Sequence, residues 1–229
     1  MWIKICANTN LDDALMAAEL GADAVGFVFA PSKRQVTVEQ VAAITPHLPR
    51  NVERIGVFTT TSDDEIIQIV GKADLTGVQL HGGHHDAEYI SRLGARPGEN
   101  YVEVIRTASW VVNGDEESDR QAAELLLQLA HHTRVDTRIL LDSKVKDELG
   151  GTGIAFNWAK ARAVIDSDSR LKAHDIILAG GLNPENVADA IRALHPWGVD
   201  VASGVEEVPG RKAPERLKRF IEAARAVRL

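Results

Sequence analysis

The chain alternates short apolar runs with stretches whose apolar residues recur every three or four positions. Trp2 to Cys6 is a short β-type run, and Thr9 to Asp13 reads as a helix start, with Thr9 or Asn10 as cap and acids in the first turn. Leu11, Ala14, Leu15 and Ala18 continue at helical spacing until Gly21 stops the helix. Ala24 to Phe29 is apolar almost throughout, as a parallel strand covered on both faces must be.

This unit repeats along the chain. Helical patterns are predicted over Glu39 to Ile44, Asp63 to Val70 and Asp86 to Leu93, and strands over Arg54 to Phe58, Gly77 to Leu80 and Tyr101 to Ile105. A polar connection from Asn113 to Arg120 leads into a helix with Ala122, Leu125, Leu126 and Leu129 on its apolar face. Ile139 to Leu141 is the sixth strand, Phe156 to Val164 a helix and Ile176 to Ala179 the seventh strand. Asn183-Pro184-Glu185 reads as a helix cap with proline at the first helical position, before an inner face of Val187, Ala190, Ile191 and Leu194. Val199 to Val201 is the last strand, and Pro214 to Val227 the closing helix. Eight β-runs alternating with eight helical patterns predict an α/β fold, a single (β/α)8 TIM barrel spanning 1–229. Such barrels typically take about 250 residues, so the loops must be short. The shortness of Val199 to Val201 leaves an open two-layer sheet as the alternative.

Composition narrows the partners. With 33 acidic against 26 basic residues and a formal charge of -7, a general affinity for nucleic acid or an anionic membrane is not expected. An anionic ligand must be captured locally. One cysteine, Cys6, forms no internal disulfide and fits a reducing compartment. The N-terminal stretch lacks an apolar region of signal-peptide length and no window approaches a membrane span, so a cytoplasmic location is expected.

In a barrel of this kind the chemistry gathers where strands end. Cys6 ends the first strand, Arg34 lies after the second, His81 and Gly82 follow the fourth, and Asp142 ends the sixth. Gly150-Gly151-Thr152-Gly153, Gly180-Gly181 and Ser203-Gly204 follow the last three strands. Backbone N–H groups of glycine turns hold phosphate without a lysine, and barrels often place such a site after strands seven and eight. Taken alone, Gly180-Gly181 reads better as a tight connection, whereas three such turns converging on adjacent strands favour phosphate. Cys6 and Asp142 would face each other across the mouth as base and acid. The other reading of a lone cysteine is a small buried hydrophobe. Arg34 offers a fork matching a carboxylate, or is a solvated charge. The histidines at 81, 84 and 85 lack a carboxylate at ligand spacing, so no metal is expected, and His131-His132 reads as surface.

Eight stretches match a known family in order. They are Lys4 to Cys6, Asn10 to Phe29, Pro31 to Arg34, Val78 to Gly82, Leu140 to Ser143, Gly150 to Gly153 with Phe156 and Trp158, Ala179 to Asn186, and Val199 to Gly210. On these the chain resembles the phosphoribosylanthranilate isomerases of tryptophan biosynthesis over nearly its whole length. The resemblance implies a cofactor-free Amadori rearrangement of a small phosphorylated substrate, by a monomer or homodimer. It implies that Asp142 protonates the ribose ring oxygen and that Cys6 removes the proton from the second sugar carbon. It further implies Arg34 on the anthranilate carboxylate, His81 and Asp200 at the substrate, and Gly151, Gly153, Gly180, Gly181, Ser203 and Gly204 around the phosphate. The chain departs from the family pattern at Ala7 and Asn8, where glycine and a hydrophobic residue are usual. It departs again at Ala202 for serine, at Ala213 for aspartate, and at His84 and His85 for acids, while Lys218 still matches. The related histidine-pathway isomerases carry an aspartate where Cys6 stands. A barrel that binds phosphate ligands without turnover, and a metal-dependent epimerase, are the other readings.

Overall fold

A computed structural model describes residues 1–59, 62–82, 87–94, 102–112, 114–132, 137–144 and 156–228. The first half runs β1 (Trp2–Ile5), α1 (Leu11–Glu19), β2 (Ala24–Val28), α2 (Val38–Ile44), β3 (Glu53–Phe58), α3 (Asp63–Lys72), β4 (Gly77–Leu80) and α4 (Ala87–Gly94). The second half runs β5 (Glu103–Val111), α5 (Glu116–His132), β6 (Arg138–Lys144), α6 (Trp158–Ser167), α7 (Ser169–Ala173), β7 (Ile176–Leu178), α8 (Val187–Leu194) and β8 (Gly198–Val201). A hairpin of β9 (Glu206–Val208) and β10 (Arg211–Lys212) precedes α9 (Pro214–Ala226).

Strands β1 to β8 pair in sequence order and close into a barrel, which excludes the open sheet. Closure rests on the weakest-looking run: β8 pairs parallel with β1, Trp2 opposite Gly198 and Lys4 opposite Asp200. Side chains alternate along each strand, so each strand serves two cores. Ile3 and Ile5 join the large core between barrel and helices. Trp2, Ala24, Ile55, Ile105, Leu140 and Ile177 pack together as a separate inner layer. The floor beneath that layer is charged. Arg138 donates to Glu53 at 2.6 Å and stacks over Trp2 and Trp197, with centroid distances of 5.1 and 4.6 Å.

Two steps toward the C-terminal end, the inner layer turns polar. The same phase that sets Trp2, Ile105, Leu140 and Ile177 inside brings Lys4, Thr107, Asp142 and Ala179 to the next level. This explains why β5 runs to Val111 rather than stopping at Ile105: Thr107 and Ser109 break the apolar run because they face the barrel mouth. The strand pairs with β6 as far as Val111 opposite Lys144.

Other boundaries differ for local reasons. The connection expected to end at Arg120 is helical from Glu116. Helix α6 starts at Trp158 because Asn157 caps it, accepting from the Lys160 N–H. Asn183 does not cap α8: its side chain accepts from the Glu185 and Asn186 N–H groups in a preceding turn, and the helix begins at Val187. Neither the β9–β10 hairpin nor α7 has a periodicity long enough to read from sequence. The hairpin turns at Gly210, φ +85°, and is latched to the start of α1. Thr9 donates to the Gly210 carbonyl at 2.6 Å, and Asp13 accepts the Lys212 N–H at 2.9 Å.

Ala213 is the N-cap of α9, with Pro214 at the first helical position and no side-chain bond to the helix. Ala213→Asp restores an acceptor for the open N–H groups beside the helix dipole, and is expected to add about 1 kcal/mol. Thermal unfolding should show a rise of a few degrees. An unchanged or lower midpoint would mean that the end of α9 does not limit stability.

Candidate active site

Lys4 is the unexpected residue of β1. It is fully buried inside the barrel, and its ammonium donates to Asp200 Oδ2 at 2.9 Å and Gln79 Oε1 at 2.6 Å. Burial alone pushes this ammonium toward neutrality, yet the charges and hydrogen bonds of Asp200 and Cys6 together outweigh it and hold its pKa above the ordinary lysine value. A charge pair about 4 Å apart in a protein environment is worth roughly 4 kcal/mol, enough to reverse a desolvation penalty of a few kcal/mol.

Cys6 follows directly, its N–H bonded to the Val201 carbonyl at 2.8 Å. It is 7 % exposed and belongs to neither of the two apolar clusters. Burial pushes the thiol up. Lys4 opposes that most strongly, Asp200 adds to it, and Lys212 and the Ala7 N–H oppose it in turn, leaving the thiol above its usual range. Gly26 makes the room. A Cβ there would stand 2.7 Å from the Cys6 sulfur and 3.0 Å from Lys4 Cε. The next residue, Ala7, adopts φ +62°, a left-handed conformation that costs an L side chain about 1–2 kcal/mol.

Asp142 lies three strands from Cys6 around the barrel, in register with Ser109. Its side chain is 20 % exposed, and His81 Nε2 stands 4.0 Å from Oδ2. Desolvation first, and the Asp200 carboxylate second, push its pKa up to about 7, against the lowering charge of Lys4 and an N–H bond at Ser143. A carboxyl with that acidity is half protonated at neutral pH and suits proton donation. Lys4 and Asp200 thus act on both Cys6 and Asp142. The second Asp200 oxygen, Oδ1, is buried and has no hydrogen-bond partner among the described residues.

Arg34 does not stand as an open fork. Its Nε and Nη2 clasp Glu206 at 2.7–2.9 Å, because the β9–β10 hairpin folds an acid in beside it. Nη1 has no partner among the described residues. Glu206 in turn faces Lys212, whose buried ammonium donates to the Cys6 carbonyl at 2.6 Å. Burial lowers the Lys212 pKa, and Glu206 and Cys6 only partly offset it.

The glycine turns after β7 and β8 do converge. Gly180 and Gly181 adopt φ +79° and +67°, and a Cβ on Gly180 would lie 2.2 Å from the Ser143 nitrogen. A Cβ on Gly204 would lie 1.9 Å from the Leu182 carbonyl oxygen, so these two loops abut backbone to backbone. Ser203 opens the short turn Ser203–Val205 beside them. Asn186 ties the first loop, donating to the Gly181 carbonyl at 2.9 Å. Gly151 and Gly153 lie outside the described residues, as do His84 and His85. His131 is exposed and pairs with Asp168 at 3.0 Å.

Sequence reasoning missed Lys4, Gln79, Glu206 and Lys212. For Lys4 the signal was present: a lysine in the middle of a strand whose neighbours are all apolar is rarely a buried residue without a partner.

A family profile described as N-(5'phosphoribosyl)anthranilate (PRA) isomerase matches residues 3–223. The chain is 37 % identical over 99 % of its length, and all of the relative's, to an N-(5'-phosphoribosyl)anthranilate isomerase from Listeria welshimeri. Its fold superposes with a TM-score of 0.81 on the crystal structure of phosphoribosyl anthranilate isomerase from Thermotoga maritima, 36 % identical, covering 99 % of this chain and 100 % of the other. A phosphoribosyl anthranilate isomerase solved with reduced 1-(o-carboxyphenylamino)-1-deoxyribulose 5-phosphate gives a TM-score of 0.77 at 34 % identity, with coverage of 99 % and 100 %.

The strain at position 7 yields a test. Ala7→Gly keeps the left-handed turn without the Cβ clash and is expected to gain about 1 kcal/mol in denaturant unfolding. A loss of stability would show that the methyl contributes packing that exceeds the strain.

Proposed function

The chain belongs to the N-(5'-phosphoribosyl)anthranilate isomerase family of tryptophan biosynthesis, and on that premise we propose that Cys6 and Asp142 are its base and acid. The observation that carries the reading is geometric: Cys6 on β1 and Asp142 on β6 stand around one barrel whose polar layer holds the buried Lys4–Asp200 pair, with His81 4.0 Å from Asp142, and burial there raises the carboxyl to about 7.

In this reading residues 1–229 act as one barrel. The Asp142 carboxyl gives its proton to the ribose ring oxygen as the bond from that oxygen to C1 breaks, leaving the sugar open as a Schiff base. The Cys6 thiolate takes the proton from C2, and the electron pair moves to form the enolamine. Tautomerisation then moves the C2 hydroxyl proton to C1 and yields the ketone. Protons and electron pairs are all that move. Arg34 Nη1, on the side of the guanidinium away from Glu206, is the donor for the anthranilate carboxylate. The Asp200 Oδ1 acceptor suits the substrate amine, and His81 borders the sugar next to Asp142. Backbone N–H groups at Gly180, Gly181, Ser203 and Gly204 cradle the phosphate, joined in this reading by Gly151 and Gly153. Among the described residues no helix is long and apolar enough to cross a membrane.

The substitutions Cys6→Ala and Asp142→Ala are each expected to lower turnover by about 10³-fold, the scale of a lost acid or base. The assay is the loss of fluorescence of freshly generated phosphoribosylanthranilate. Arg34→Ala is expected to raise KM more than it lowers kcat. Retained turnover in either of the first two variants would remove that residue from the chemistry.

The pH profile follows from the two shifts. The productive form needs Cys6 deprotonated and Asp142 protonated, and here the acid has the lower pKa. Below about 7 the carboxyl is already protonated and kcat/KM climbs with the thiolate fraction. Between about 7 and the thiol pKa, gain of thiolate and loss of carboxyl cancel, and above it the rate falls. A profile with no break near 7 would contradict the assignment of Asp142.

A further inference from the structure

We infer that Lys4 is the positioning residue for the base: its ammonium, clamped by Asp200 and Gln79 inside the barrel, stands beside the Cys6 sulfur and lowers the cost of ionising it for proton abstraction. The inference rests on Cys6 being that base.

Geometry carries it. Lys4 is buried completely, and a lysine has three N–H donors and no acceptor. Two donors are fixed, at 2.9 Å on Asp200 and 2.6 Å on Gln79, from β8 and β4 respectively. The ammonium and the Cys6 sulfur are also coupled electrostatically, each favouring the other's charged form. The sulfur and the end of the lysine stem press on the same gap at Gly26, where a Cβ would lie 2.7 Å from one and 3.0 Å from the other. An apolar side chain of similar volume, facing a neutral partner, would fill this layer at no greater cost. Packing density alone does not call for a cation here; beyond pairing with Asp200, an ammonium next to a desolvated thiol eases its ionisation.

The charges around the thiol come from every side, and Lys4 leads those that favour ionisation. Asp200 on β8 disfavours the thiolate, and Lys212 on β10 favours it more weakly than Lys4. Lys212 meets the Cys6 backbone carbonyl, and its charge is partly taken by Glu206 on β9. Arg34, after β2, is also engaged by Glu206. Asp142 on β6, with His81 after β4 next to it, shares Lys4 and Asp200 with the thiol.

Cys6 is the only cysteine, so the ultraviolet absorbance of its thiolate, measured against Cys6→Ala, reads this one group as pH is varied. Lys4→Met is expected to move the thiolate midpoint up by about one pH unit or more, a roughly tenfold loss of thiolate at a fixed pH below it. kcat should fall about tenfold with KM changed far less. Lys4→Arg, which keeps the charge, should return the midpoint toward the parent value. Removing the ammonium alone strands the Asp200 carboxylate, so the same comparison is made in Asp200→Asn, where no buried acid is left unpaired. There Lys4→Met should again raise the midpoint relative to Asp200→Asn. An unshifted midpoint in both backgrounds overturns the inference, and so does an equal shift in Lys4→Arg. Turnover by Cys6→Ala would instead defeat the base assignment, which the absorbance titration does not depend on.

Discussion

The structure depends on the register in which β8 closes on β1. That register sets Lys4 opposite Asp200 and buries the pair inside the barrel. A slip of one residue would turn Lys4 toward the helices and bring Ile3 and Ile5 into the polar layer, leaving a charge unpaired on each side. A buried ion pair adds little over apolar residues of the same shape, but leaving one partner alone costs about 3–5 kcal/mol. The pair therefore selects one closure of the barrel more than it strengthens it, which is how a strand as short as Gly198–Val201 can complete the sheet.

In the proposed mechanism that same pair tunes the acid and base above it. Lys4 favours the ionised form of both Cys6 and Asp142, and Asp200 disfavours it in both. Burial raises the pKa of both groups. Asp142, already desolvated and next to Asp200, stays protonated to about 7, while the sulfur has the ammonium against it. The loop elements complete the site from outside: the β9–β10 hairpin brings Glu206 to Arg34 and Lys212 to the backbone of Cys6, and it is held there by Thr9 and Asp13 at the start of α1.

Much of this was legible in the sequence. The alternation of apolar runs and helical spacing foretells eight strands, because a parallel barrel must be apolar on both faces of most of its strands. Cys6, Asp142 and the glycine pairs stand out as candidates from their position at strand ends. Lys4 was passed over because a strand lysine reads as polar punctuation until its partner, nearly two hundred residues away, is known. Arg34 reads as an open fork or a solvated charge because nothing local announces Glu206, which reaches it through the β9–β10 hairpin, too short for any periodicity. The Ala7 departure from glycine was visible, but only the positive φ gives its physical cost. Ala213 was visible too, and its meaning as an empty helix cap needed the start of α9.

The most direct test of the central claim, that a sulfur and a carboxyl work on one sugar from opposite sides, is a crystal structure with reduced 1-(o-carboxyphenylamino)-1-deoxyribulose 5-phosphate bound. The account predicts the Cys6 sulfur against C2 on one side and the Asp142 carboxyl at the former ring oxygen on the other, with the phosphate on the backbone of Gly181 and Gly204. A ligand whose sugar lies beyond reach of either group, or whose phosphate sits away from those loops, would contradict it.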